Sequence, residues 1–253
     1  MINYSKSGKG NTIVLLHGFC ENNTCFNDQV FFLQKDFCVI TPDLPGFGKS
    51  EPLNHTSIEL MADEVYKILV HEKTQSCVMI GHSMGGYVSL AFAEKYFALL
   101  KGIGLMHSTA LADNEERKTK RDQAIRVIEE KGFELYVKNF IPPLFSASFT
   151  QKKIIDEFVE SGFNTSVKGL TQALLSMKNR ASKMDFLKQT DLPVLFFVGK
   201  EDKLIPESDM FFQASLCKQS EIVYLQKSAH MGYVEEAKKT NEAIKKFVHQ
   251  TVG

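Results

Sequence analysis

The sequence predicts an α/β protein with a mostly parallel central sheet flanked by helices. Six short apolar runs, TIVLLHG, FCVITPD, CVMIGHS, LKGIGLMHS, LPVLFFVGK and EIVYLQK, punctuate the chain, and most are separated by helix-like segments. These runs are rich in Val, Ile, Leu and Phe without strict polar alternation, as strands covered on both faces must be. A helix after each strand returns the chain so that the next strand runs parallel to the last. With 253 residues, 43% of them hydrophobic and 24% charged, the chain suits one large domain carrying an insertion and is ample for a buried core.

The segment before the first run has room for at most one preceding strand. Between the second and third runs, TSIELMADEVYKILVHE repeats Ile58, Met61, Val65 and Leu69 at helical spacing, with Thr56 and Glu59 read as a capping box at its start. The third run leads directly into the helix GGYVSLAFAEKYF. From about Ala110 to Lys188 the alternation fails. A mainly polar helix ends at Gly132, Pro142 and Pro143 break the chain, and helices follow around KKIIDEFVE and SVKGLTQALLSMKNRA. In the last of these Val167, Leu170, Leu174 and Met177 form one apolar face. The stretch reads as a helical insertion folded over the strand ends, and the sheet resumes at Leu192.

Charge narrows the function classes. Lys+Arg number 30 against Asp+Glu 30, so no basic excess is available to neutralise nucleic-acid phosphates. The stretch EERKTKRDQ interleaves both signs and reads as a solvated helix face. The start MINYSKSGKGNT lacks the apolar core of a signal peptide, and no apolar run approaches the roughly 18 residues that span a bilayer. The expectation is a cytoplasmic chain without a membrane segment. Its five cysteines, an odd number with no C-x-x-C pair, read as reduced thiols.

The chemistry concentrates at Gly81-His82-Ser83-Met84-Gly85, a G-x-S-x-G match lying where the third run meets its helix. A serine in such a strand-turn-helix junction takes a strained backbone that lifts its Oγ above the sheet, and the helix N-terminus aims free N–H groups at the same place. A hydroxyl is a weak nucleophile near neutral pH and needs a base oriented by a carboxylate. In chain order the acid follows this serine and the histidine comes last. His230, in the loop after the final run, suits the base, whereas His249 lies on the charged face of the terminal helix. The loop FFVGKEDKLIP supplies the acid: Asp202, whose short side chain a tight turn can fix inward, with Glu201 as the alternative. His107 ends a strand and is expected to line the substrate pocket together with Leu174 and Met177. For the oxyanion that attack creates, Met84 offers its backbone N–H, and Gly18 lets the chain turn so that the Phe19 N–H supplies a second donor. His17 reads as a structural residue beneath that loop.

Competing motifs fail. PGFGKS would be a phosphate loop only with a glycine where Asp43 stands. The histidines have no metal-ligand spacing, so neither a metal nor another cofactor is expected.

The set HGF, DLPGFGKS, GHSMGG, VGKEDKLIP and SAHMGYVE, in this order across nearly the whole chain, resembles the α/β-hydrolase superfamily. The resemblance implies an α/β-hydrolase core in residues 1–109 and 189–253, a helical cap in residues 110–188 inserted before the strand carrying the acid, and Ser83, Asp202 and His230 as a triad. The expectation is a cofactor-free serine hydrolase, a monomer or homodimer, cleaving a carboxylic ester or related acyl bond of a small substrate, fairly apolar on the strength of the cap face that carries Leu174 and Met177. The same fold and triad also serve carbon–carbon bond hydrolysis and a menaquinone-pathway elimination, although enzymes of the latter kind usually carry arginine just after GHSMGG, where Tyr87 stands. A ligand sensor acting through a protein partner is the alternative from another class.

Overall fold

The computed structural model describes residues 1–252. Seven strands form one sheet: β1 (Tyr4–Ser7), β2 (Thr12–Leu16), β3 (Cys38–Pro42), β4 (Cys77–His82), β5 (Leu100–Met106), β6 (Val194–Gly199) and β7 (Ser220–Leu225). Their spatial order is β1-β3-β2-β4-β5-β6-β7, and every pair is parallel except β1 against β3. The six apolar runs are β2 to β7, and the single strand before them is a short antiparallel edge. β3, β4 and β6 are buried at every residue, the condition that erases polar alternation from their sequences.

Helices cover both faces. α1 (Asn27–Leu33) follows β2, α2 (Ile58–His71) follows β3, and α3 (Met84–Lys95) leaves β4 without an intervening loop. Five helices separate β5 from β6: α4 (Glu115–Lys131), α5 (Phe133–Phe140), α6 (Lys152–Gly162), α7 (Val167–Asn179) and α8 (Met184–Gln189). Then come α9 (Glu207–Leu216), α10 (Gly232–Glu235) and α11 (Ala237–Val252).

Local signals hold with two adjustments. α2 is capped by Ser57, whose side chain accepts from Leu60 N at 3.1 Å, while Thr56 Oγ1 reaches Gln172 Oε1 of α7 at 3.1 Å. The cap therefore sits one residue later than the Thr56–Glu59 box, because Thr56 is drawn into a tertiary contact. On α7, Leu170, Leu174 and Met177 are buried but Val167, at its first turn, is exposed. None of the five cysteines is paired, and among the described residues no helix is long and apolar enough to cross a membrane.

Candidate active site

β4 ends at His82 and α3 begins at Met84, so Ser83 alone makes the turn, with φ 49° and ψ −113°. This conformation costs about 1–3 kcal/mol in an L-residue and persists only where its surroundings enforce it. Here Ser83 N donates to Met106 O at 2.9 Å, and Ser83 O accepts from Gly86 N at 3.0 Å and Ser108 Oγ at 2.7 Å. The flanking glycines are sterically required. A Cβ on Gly81 would lie 2.2 Å from the Gly85 carbonyl carbon, and one on Gly85 would lie 2.1 Å from Leu16 O. Of the four non-glycine residues with positive φ among the described residues, three, Cys20, Ser83 and His107, lie in the turns after β2, β4 and β5, and the fourth, Lys73, follows α2.

Asp202, in the loop after β6, is fixed through both carboxylate oxygens. Oδ1 accepts from Leu204 N at 2.8 Å and Ile205 N at 3.0 Å, while Oδ2 faces Nδ1 of His230 at 2.8 Å and Nδ1 of His107 at 3.2 Å. Burial opposes its charge, but the two imidazoles outweigh that effect and hold the carboxyl well below the usual carboxylate range. Glu201, by contrast, is exposed, and its backbone N–H bonds Ser228 O at 3.0 Å. Between the two acids, Asp202 is the one that meets the histidine.

His230 is anchored on three sides. Its Nδ1 is held by Asp202, its N–H donates to Leu144 O between α5 and α6 at 2.9 Å, and its carbonyl accepts from His82 Nε2 at 2.9 Å. That leaves Nε2 uncommitted, on a residue that lines the same cavity as Ser83. An imidazole so oriented can accept a proton from a hydroxyl and return it to a leaving group. The cavity is about 230 Å³ and is also lined by Phe19, Tyr136, Phe140, Leu174 and Met177. Phe19 meets Phe140 edge-on at 5.5 Å between ring centres.

Two expectations need correction. His107 does not line this cavity. It is buried behind Asp202, its Nε2 has no partner among the described residues, and burial, outweighing the opposing pull of Asp202, pushes its pKa down to about 4. The turn after β5 that carries it folds inward under the acid loop, which a strand-end position alone does not reveal. The second concerns EERKTKRDQ, which is not merely a solvated face: Arg117, Lys120 and Arg121 of α4 line the cavity.

Sequence reasoning missed the support beneath the site. Glu21 is buried, accepts from Gly18 N at 2.6 Å and Tyr233 OH at 3.1 Å, and pairs with His82 Nδ1 at 3.0 Å. Both His82 nitrogens face oxygen atoms, Glu21 Oε2 and His230 O, an arrangement that favours the doubly protonated ring. Burial disfavours both charges, yet mutual attraction raises the His82 pKa and lowers that of Glu21. A glutamate directly after the apolar pair Phe19-Cys20 in HGFCEN was the one available signal. His17 sits beneath the same loop, donating from Nδ1 to Gly18 O at 2.8 Å while Nε2 accepts from Leu44 N at 2.9 Å.

His107, Asp202 and His230 are also the group whose ligand atoms, within 4.8 Å of one another, have spacing that a metal ion could accept. Their chemistry fits hydrogen bonding better. Each Nδ1 is directed at the same Oδ2 and the other oxygen is taken by two backbone N–H groups, so a metal would have to displace bonds already made.

Comparison with known proteins agrees with this architecture. The family described as alpha/beta hydrolase fold matches residues 11–237. The AB hydrolase superfamily protein YisY of Bacillus subtilis (strain 168) is 25% identical over 252 residues, covering 95% of this chain and 92% of its own length. The 3-oxoadipate enol-lactonase 1 of Acinetobacter baylyi is 23% identical, with 93% of this chain and 88% of that protein covered. Among solved structures, a thermophilic esterase from Thermogutta terrifontis with malate bound superposes with a TM-score of 0.94 at 29% identity, covering 99% of this chain and 93% of that one. With the family matched over most of its length and the sheet, elbow and loops in the family's order, the chain belongs to the α/β-hydrolase family.

Proposed function

We propose that this hydrolase is a cofactor-free serine enzyme that cleaves a carboxylic ester, or a lactone or related acyl bond, of a small substrate. Ser83 Oγ attacks the carbonyl carbon as His230 Nε2 takes its proton. The charge on the carbonyl oxygen is received by the N–H groups of Phe19 and Met84. Collapse of the tetrahedral intermediate expels the alcohol, protonated by His230, and leaves an acyl group on Ser83. Water deprotonated by His230 then releases the acid. Asp202 keeps the Nδ1 proton in place throughout and stabilises the transient imidazolium. Residues 110–188 act as a cap over a core formed by 1–109 and 189–253.

The observation that carries this reading is the Asp202–His230 contact at 2.8 Å, with His230 and the strained Ser83 lining one cavity. The esterase and enol-lactonase relatives support it, since both names describe acyl-bond hydrolysis. Purified protein should hydrolyse short-chain p-nitrophenyl esters, and Ser83→Ala should lose at least about 10³-fold in kcat while keeping its fold. Unchanged turnover in Ser83→Ala would remove the serine mechanism.

A further inference from the structure

The cavity wall contributed by α4 is basic. Arg117, Lys120 and Arg121 line it, and no Asp or Glu does. Their neighbours leave this charge largely uncancelled. Among the described residues no carboxylate pairs with Arg117, which is held at the cavity edge by one bond from Nη2 to Leu204 O at 2.7 Å. Arg121 is positioned through Nε, 3.1 Å from Asp113 Oδ2, and among the described residues no partner takes its two terminal nitrogens. Asp113 is itself shared with Arg180, whose Nη1 lies 2.7 Å from Oδ1. One negative charge there faces two positive ones. Lys120 pairs with Glu116 at 2.6 Å, but the two side chains are 68% and 72% exposed, so the pair is screened and easily relinquished.

A guanidinium tethered by one nitrogen still presents a donor fork, and a planar carboxylate fits it in bidentate fashion. We infer that the α4 wall is a carboxylate-binding subsite, so that the substrate of this hydrolase is a small ester carrying a free carboxylate, with the reacting carbonyl toward Ser83 and the acid toward Arg117, Lys120 and Arg121. The volume of about 230 Å³ and the aromatic opposite wall suit a compact organic acid. This inference rests on the Ser83 hydrolase reading and extends it to substrate class.

The test compares matched substrates: mono-p-nitrophenyl succinate with its methyl ester, which places the anion on the acyl side, and 4-carboxyphenyl butyrate with its methyl ester, which places it on the leaving group. The wild type should favour the anionic member of one pair by tenfold or more in kcat/KM, and the preference should weaken with added salt. In Arg117→Gln/Lys120→Gln, and separately in Arg121→Gln, that ratio should fall toward one. Because the ratio is internal to each protein, it cancels any loss of folded fraction. A second readout needs no turnover: monomethyl succinate should raise the Tm of Ser83→Ala, and adding Arg117→Gln/Lys120→Gln should abolish the shift. Equal rates within both pairs, or a preference that survives the double substitution, overturns the subsite while leaving Ser83-dependent hydrolysis standing. Ester turnover indifferent to Ser83→Ala overturns the hydrolase reading instead, and the Tm shift then still decides whether the carboxylate site exists.

Discussion

Two buried carboxylates each lie against histidine, and they are wired differently. Asp202 contacts two imidazoles through their Nδ1 atoms, and one of these, His230, lines the cavity with Ser83 and has no partner at Nε2 among the described residues. Glu21 contacts one imidazole, His82, whose second nitrogen is spent on the carbonyl of His230. The first arrangement leaves one ring nitrogen of a cavity-lining residue uncommitted. The second leaves none and instead ties the loop after β2, through Gly18 N, to the loop after β7, through His230 O. The difference teaches that the same residue types serve chemistry or scaffolding according to how many of the ring nitrogens the protein has already used.

Substitutions at the two carboxylates should separate these roles. Asp202→Asn should reduce kcat on p-nitrophenyl esters by about 10³- to 10⁴-fold, because an amide cannot hold His230 in the tautomer that keeps Nε2 an acceptor. The fold should persist, and a loss below tenfold would show that Asp202 does not orient the base. Glu21→Gln should do the reverse. Breaking a buried pair leaves an uncompensated charge and typically costs about 3–5 kcal/mol, so denaturant unfolding should show a large stability loss while kcat falls far less than in Asp202→Asn. Equal kinetic damage at both sites would erase the contrast.

The pH dependence sharpens it further. Glu21 has a depressed pKa, so its contribution is present above the unfolded value and lost as pH falls through the folded one. His82 has a raised pKa, so its contribution is complete below the unfolded value and lost as pH rises through the folded one. The stability gap between wild type and Glu21→Gln should therefore be widest between about pH 4.3 and 6.5, the ordinary values of the two groups, and should narrow on the alkaline side. Chemical denaturation across that range measures it, and a gap still widening above pH 8 would contradict an imidazolium at His82.

His107 has the opposite sign and the smallest expected effect. Its pKa is lowered to about 4 from an ordinary 6.5, so the unfolded chain binds a proton through that interval while the folded protein does not, and stability falls with acidification. His107→Gln should remove that part of the slope, flattening stability against pH between about 4 and 6.5 by at most roughly 3 kcal/mol across the interval. A slope identical to wild type would mean that His107 is protonated in the fold.

The sheet could be read from residues because its cause is local: strands such as CVMIGH and VLFFVG are buried on both faces, and burial writes itself into composition. The elbow at Ser83 was legible for a similar reason, since only glycine fits at 81 and 85. His230 and Asp202 were placed by their order along the chain, with Asp202 favoured over Glu201 on side-chain length alone. Contacts between distant segments were not legible. Thr56 reads as the cap of α2, yet its hydroxyl bonds Gln172 instead; His107 ends a strand as a pocket residue would, yet turns under the acid loop.

The amino-acid sequence by itself therefore determined the order of strands and helices, the strained serine and the identity of the groups available to serve it. Those properties follow from neighbours a few residues apart. Tertiary structure alone decided which charges oppose which. It seats Glu21 against His82 across 61 positions, and it brings Arg117, Lys120 and Arg121 of α4 to the cavity that Ser83 lines. Electrostatic partnership depends on distance in space and on burial, and neither is written in the spacing of residues along a chain.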